Sequence, residues 1–197
     1  MKNSRLNVYT ETTKILRILD NTSDDPRTRA LLANIRNSIN KDNSKNIDAL
    51  AFIFQNLSKE FIGSSKELND YEKAILTAVQ MYALHQQSNA ESVLKLDYED
   101  GERRQNLGDA LSSLRTEESK SIDSRFNTLV TARNFTQLQN HLRQMIKLLK
   151  TKSDAKVDYA SLADDLYWFL RNQKDGIKIK WARSYYKFRQ TDSKGEN

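Results

Sequence analysis

Apolar side chains recur along most of this chain at intervals of three and four residues, the period of an α-helix that buries one face. Val8, Ile15, Leu16 and Leu19 fall on one stripe, Ile47, Leu50, Ala51, Phe54 and Leu57 on a second, and Tyr71, Ile75, Ala78, Val79 and Tyr82 on a third. Between the first two, SDDPRTRALLANIRNSI places Asp25 at an N-cap and Pro26 at the first helical position, with Leu31, Leu32, Ile35 and Ile39 turned inward. Polar runs in NSKNIDALAFIF and SSKELNDYEKAIL cap a third and a fourth helix, with Gly63 between them. These four helices predict an N-terminal bundle over residues 1–88.

After Gln87 the pattern lapses. SNAESVLKLDYEDGERRQN has no sustained helical period and is long for a connection inside a compact domain, so residues 89–104 are expected to form a mobile polar loop at a subdomain boundary. Five more helical patterns follow: LGDALSSLR, SIDSRFNTLVTA, NFTQLQNHLRQMIKLLK, VDYASLADDLYWFL and IKIKWARSYYKF. They predict a C-terminal bundle over 105–197. A single proline and five glycines leave little turn chemistry for an all-β protein. The fold class expected is therefore all-α, two small helical bundles with about nine helices in total.

The last pattern, KIKWARSYYKFRQ, interleaves rings and cations almost residue by residue. Wound into a helix, the mixture separates: Ile177, Trp181, Tyr185 and Phe188 share one face, while Lys180, Arg183 and Lys187 share another. The rings are thus expected to lock the helix into the core and the cations to face outward, with Tyr186 the ring most free to meet a ligand.

Charge sharpens this picture. Residues 1–100 hold 13 Lys and Arg against 14 Asp and Glu, or −1, whereas residues 101–197 hold 19 against 12, or +7. A basic half on an otherwise neutral chain is the electrostatic footprint of a polyanion partner, most often nucleic acid. The absence of cysteine excludes disulfides, thiolate metal sites and cysteine nucleophiles. No apolar run approaches the roughly 20 residues of a membrane span, and the expectation is a soluble, cytoplasmic protein that does not engage a membrane.

Catalytic constellations are scarce. His85 and His141 are the only histidines and do not form a zinc-binding spacing, and neither GxxxxGK[ST] nor GxGxxG occurs. Asp158, Asp164 and Asp165 raise a metal-dependent nuclease as a rival, since two-metal phosphoryl chemistry needs clustered carboxylates. Adjacent helical residues point about 100° apart, however. Asp158 reads better as a helix cap, and the other two as solvated or paired with a base. His85 reads as a capping or core residue, and His141 as the histidine better placed to touch a partner. The expectation is a protein that is not an enzyme and needs neither metal nor cofactor.

A basic stripe is the more specific signal. In NFTQLQNHLRQMIKLLK, Phe135, Leu138, Leu142, Ile146 and Leu149 form the buried face. Arg143, Lys147 and Lys150 recur at i, i+4 and i+7 on another face, with no acidic residue in the helix to pair with them. That favours phosphate contact over a merely solvated face, and Arg125 and Arg133 can extend the same surface.

Five stretches in order, LLANIRNSI, NLGDAL, SIDSRFNTLV running into NHLRQMIKLLK, VDYASLADDLYWF and KIKWARSYYKF, resemble the CasB family, the small subunit of the type I-E CRISPR surveillance complex Cascade. Order and spacing match through most of residues 103–188, and more weakly over 26–87. The resemblance implies a non-catalytic protein of two helical bundles. It also implies two copies per complex, lying against the guide-bearing backbone subunits between the large subunit and the tail. There the basic groove would hold target and displaced DNA strands when guide RNA opens the duplex into an R-loop. By position, Arg36, Arg125, Arg143 and Arg183 match basic positions of the family pattern. Arg133, Lys147, Lys150, Lys180 and Lys187 join them from the stripes alone. Residues 89–104 depart from the pattern in being acidic at first, which weakens the case for Arg103 and Arg104. The alternative reading is a pure protein-interaction scaffold, whose basic face meets acidic patches of neighbouring subunits.

Overall fold

Short polar side chains start most of the helices. In a computed structural model that describes residues 6–39, 47–116 and 119–187, Asn7, Asp25, Asn69, Asn106, Asn134 and Asp158 each accept a hydrogen bond from a backbone N–H of the turn they precede. At Asn69 and Asn106 the bond is reciprocal, with Glu72 and Asp109 reaching back to the cap N–H. Among the described residues there are nine α-helices and no strands: α1 (Val8–Asn21), α2 (Pro26–Asn37), α3 (Ile47–Asn56), α4 (Asp70–Gln86), α5 (Leu107–Leu111), α6 (Lys120–Val130), α7 (Phe135–Lys152), α8 (Tyr159–Leu170) and α9 (Lys174–Tyr185). Phe188 and the run before Ile47 that was expected to cap α3 lie outside the described residues.

The centre of the molecule is the pairing of α4 with α8. Every residue of α4 from Ala74 to Gln86 is buried, polar ones included, because α1, α2, α7 and α8 all pack around it. A helix enclosed on all sides needs no polar face, so the stripe of Tyr71, Ile75, Ala78, Val79 and Tyr82 marks only part of what is buried. Around this pair, α1 lies on α8 and α4, α2 and α7 lie on α4, α3 on α2, α6 on α7, and α5 with α9 on α8. Helices from both sides of residues 89–104 therefore interleave in one hydrophobic cluster.

The stretch 89–104 itself carries specific ties. Val93 and Leu94 are buried, and a short parallel bridge joins this stretch to Val157, just before the Asp158 cap of α8: Lys95 N–H donates to the Val157 carbonyl at 3.0 Å and Val157 N–H to the Val93 carbonyl at 2.9 Å. The Ser92 hydroxyl donates to Asp20 at 2.7 Å, and the Tyr98 hydroxyl to Asp158 at 2.7 Å.

One stripe is corrected. In α3 the inward residues are Ala49, Leu50 and Ile53, continuing to Leu57, while Ile47 is 65% exposed and Ala51 and Phe54 are only half-buried. The segment ALAFIF is apolar on every side, so spacing alone could not choose which side meets α2.

Candidate nucleic-acid interface

Two basic regions form, one around α9 and one beside α7. The first begins with a close helix contact. A Cβ on Gly108 would lie 2.1 Å from the Trp181 carbonyl oxygen, so glycine is what lets α5 lie directly against α9. The Asn106 amide donates to Ser184 at 2.7 Å and ties the start of α5 to the end of α9. Ile177, Trp181 and Tyr185 are buried as expected, with Tyr185 stacked on Phe126 at 3.7 Å and its hydroxyl donating to Asp123 at 2.7 Å.

Asp165 of α8 fixes the helix further. It is 3% exposed and accepts from Trp181 Nε1 and from Lys180 Nζ, both at 2.7 Å. Burial pushes its carboxyl upward, and the Lys180 ammonium with the two donated hydrogen bonds pulls the other way. The ion pair leaves Lys180 about half exposed and anchored at one end. Lys180, Arg183 and Lys187 then line one open groove of about 530 Å³ with Arg103, Asn106, Ser184 and Ile179. Arg103 is held by Asp109 at 2.7 Å; Arg183 and Lys187 make no ion pair among the described residues.

The second region flanks a cleft that the three α7 cations do not themselves line. Lys147 is exposed, but Arg143 is half-buried with a buried Nε that has no hydrogen-bond partner among the described residues, and Lys150 is half-buried and donates to Gln87 Oε1 at 3.0 Å. Desolvation first, and the Arg36 charge second, push the Lys150 ammonium below its ordinary range. Arg36 and Gln87 line a cavity of about 470 Å³ between α2 and the end of α4, together with Arg29, Gln86 and Asn89. The fold thus brings Arg36 of α2 beside Lys150 of α7, residues far apart in sequence. Arg125 and Arg133 are exposed and line neither cavity; Lys174 Nζ donates to the Arg133 carbonyl at 3.2 Å, joining the turn before α7 to the start of α9.

The remaining polar candidates are occupied by structural work. Asp158 accepts from Ser161 N–H, from the Ser161 hydroxyl and from Tyr98, and Asp165 is engaged as described. Among the described residues no three His, Cys, Asp or Glu side chains gather as metal ligands. His85 is 1% exposed, with Nδ1 at 3.0 Å from the Tyr159 hydroxyl; burial, aided by Lys150, pulls its pKa down to about 4. His141 is half-buried on α7. Arg103 is the groove residue that sequence reasoning set aside, and the Asn106-to-Asp109 capping box beside it was the available signal. Arg29, by contrast, reaches its cavity through tertiary packing that no local pattern encodes.

No described helix is long and apolar enough to cross a membrane. No curated protein matches the chain. In fold it is similar to the crystal structure of CasB from Thermobifida fusca, with 24% identity over 91% of this chain and 98% of that one and a TM-score of 0.71. It is likewise similar to the M. ruber CasB crystal structure, with 24% identity over 89% and 92% of the two chains and a TM-score of 0.66. Residues 31–186 match the profile of the family described as CRISPR-associated protein Cse2. The chain belongs to this Cse2, or CasB, family and is a small subunit of the type I-E Cascade complex of CRISPR defence.

Proposed function

We propose that the chain is a non-enzymatic subunit that grips nucleic-acid backbone through its basic surface and stabilises the R-loop formed when guide RNA opens a target duplex. The observation that carries this reading is the convergence of Arg103, Lys180, Arg183 and Lys187 on one groove, two of them without an ionic partner among the described residues. Charge with neutral hydrogen-bonding groups suits phosphates, and delegating sequence to base pairing leaves the protein only charge and shape to supply. In this reading two copies lie against the backbone and large subunits, in contact with guide RNA and target DNA, and the cations Arg36, Arg143, Lys147 and Lys150 of the second region extend the grip.

A gel-shift series with single-stranded DNA tests it. Neutralising about six to ten phosphates of a single strand makes affinity fall by roughly 300-fold to 10⁴-fold between about 50 and 200 mM salt, without regard to sequence. Absence of binding at low salt, or binding untouched by Arg183→Ala with Lys187→Ala and by Arg143→Ala with Lys147→Ala, would refute it. Charge reversal of Arg143 and Lys147 separates the scaffold alternative, which predicts lost assembly with nucleic-acid affinity retained.

A further inference from the structure

Tyr186 is the one ring among the exposed large hydrophobic side chains of the described residues; the other four are isoleucines. It is 39% exposed, whereas its neighbour Tyr185 is fully buried. Exposure here does not mean looseness. Phe126 meets the ring nearly at a right angle with centroids 5.7 Å apart, Tyr185 does the same at 4.9 Å, and the Arg115 guanidinium lies 4.9 Å from the ring centre. The hydroxyl donates to Asn127 Oδ1 at 2.8 Å, and Arg115 is itself held by Asp123 at 3.1 Å. An exposed aromatic side chain is thus braced from several directions. It stands beside the basic groove rather than in it, on the α6 side of the residues Arg183 and Lys187 that line the groove.

We propose that Tyr186 is a stacking platform for an unpaired nucleobase, so that this site takes single-stranded rather than duplex nucleic acid. Phosphates lie along the groove and one base lies against the ring. The inference rests on the nucleic-acid reading above and adds the strand class to it. A base offers its π-face only when it is unstacked from its neighbours, and any base can do so, which keeps the contact independent of sequence. The fixed orientation of the ring lowers the ordering cost of the contact.

The test compares binding of an oligothymidylate with that of an abasic strand of equal length and charge. Wild-type protein should favour the base-bearing strand by about 5- to 150-fold, the range that one base stacked on an aromatic ring supplies. Tyr186→Phe should keep that preference. Tyr186→Ala and Tyr186→Leu should abolish it while leaving affinity for the abasic strand unchanged, which also reports that the variants remain folded. Equal wild-type affinity for the two strands overturns the stacking platform alone, as does an equal loss on both strands in Tyr186→Leu. Failure of wild-type protein to bind either strand at low salt overturns the nucleic-acid reading together with it.

Discussion

The α9 groove and the α7 cleft start from the same sequence pattern, three cations on one helical face, and end in different physical states. On α9, Asp165 anchors Lys180 from below, and Arg183, with Lys187 just past the helix end, stands outward over a groove with no ionic partner among the described residues. On α7 only Lys147 stands clear; Arg143 and Lys150 are half-buried, and Lys150 is held by Gln87 with Arg36 nearby. Spacing decides which residues share a face. How deep that face lies is decided by the neighbour, and α7 lies along the enclosed helix α4 whereas α9 lies at the edge of α8. A charge in a cleft is screened less by salt and costs more to keep, so the two regions should respond differently to mutation, pH and ionic strength.

The largest difference should appear on α9 itself, between its two faces. Trp181→Ala removes a ring that is 1% exposed and leaves Asp165 without its indole donor, and we expect a loss of about 3–5 kcal/mol in unfolding free energy by urea titration. Arg183→Ala, two residues on and on the opposite face, should stay within about 0.5 kcal/mol of wild type in the same titration and weaken nucleic-acid binding instead. Comparable unfolding losses in the two variants would mean that the groove cations are part of the core after all.

The α7 side should be the one sensitive to acid. Its buried His85 holds a pKa of about 4 against an ordinary 6.5, through burial first and the Lys150 charge second. Between those values the unfolded chain binds the proton and the folded one does not, so acidification favours unfolding. The contribution is complete above about 6.5 and declines as pH falls toward 4, by up to about 3 kcal/mol. The expected sign is therefore a urea midpoint that drops between neutral pH and about 4.5, with a slope that His85→Gln flattens. Burial pushes the Tyr159 hydroxyl that faces the imidazole upward, away from this window, while the buried Asp165 carboxyl is raised toward it, so the His85→Gln difference rather than the total slope isolates the imidazole.

Much of this architecture was legible beforehand, for identifiable reasons. The helices were readable because Asn and Asp caps stand before amphipathic runs, and the sorting of KIKWARSYYKF into an apolar and a basic face follows from the helical period alone. The family resemblance added Arg36, which no stripe could have joined to α7. Depth and partnership were hidden. The anchoring of Lys180 needs Asp165 from α8, the cleft around Lys150 needs α2 and α4, and Arg103 enters its groove only because Gly108 lets α5 touch α9. The ties of Val93 and Leu94 to Val157 are backbone bonds of a single short bridge, with too little alternation to leave a pattern.

The smallest effect, and the one that bears most directly on the comparison, is the salt dependence of binding in each region. Each phosphate contact on a single strand contributes about 0.7 to the slope of log affinity against log salt. Arg183→Ala with Lys187→Ala removes two open cations and should reduce that slope by about 1.4. Arg143→Ala with Lys147→Ala removes the same formal charge, but Arg143 reaches any strand from a half-buried position with its Nε already dehydrated. The slope counts phosphates neutralised, and only the exposed Lys147 stands clear to neutralise one in full, so it should fall by nearer about 0.7. Equal slope changes in the two double variants would mean that both regions meet the strand as open surface, and the contrast between groove and cleft would then be one of folding rather than of binding.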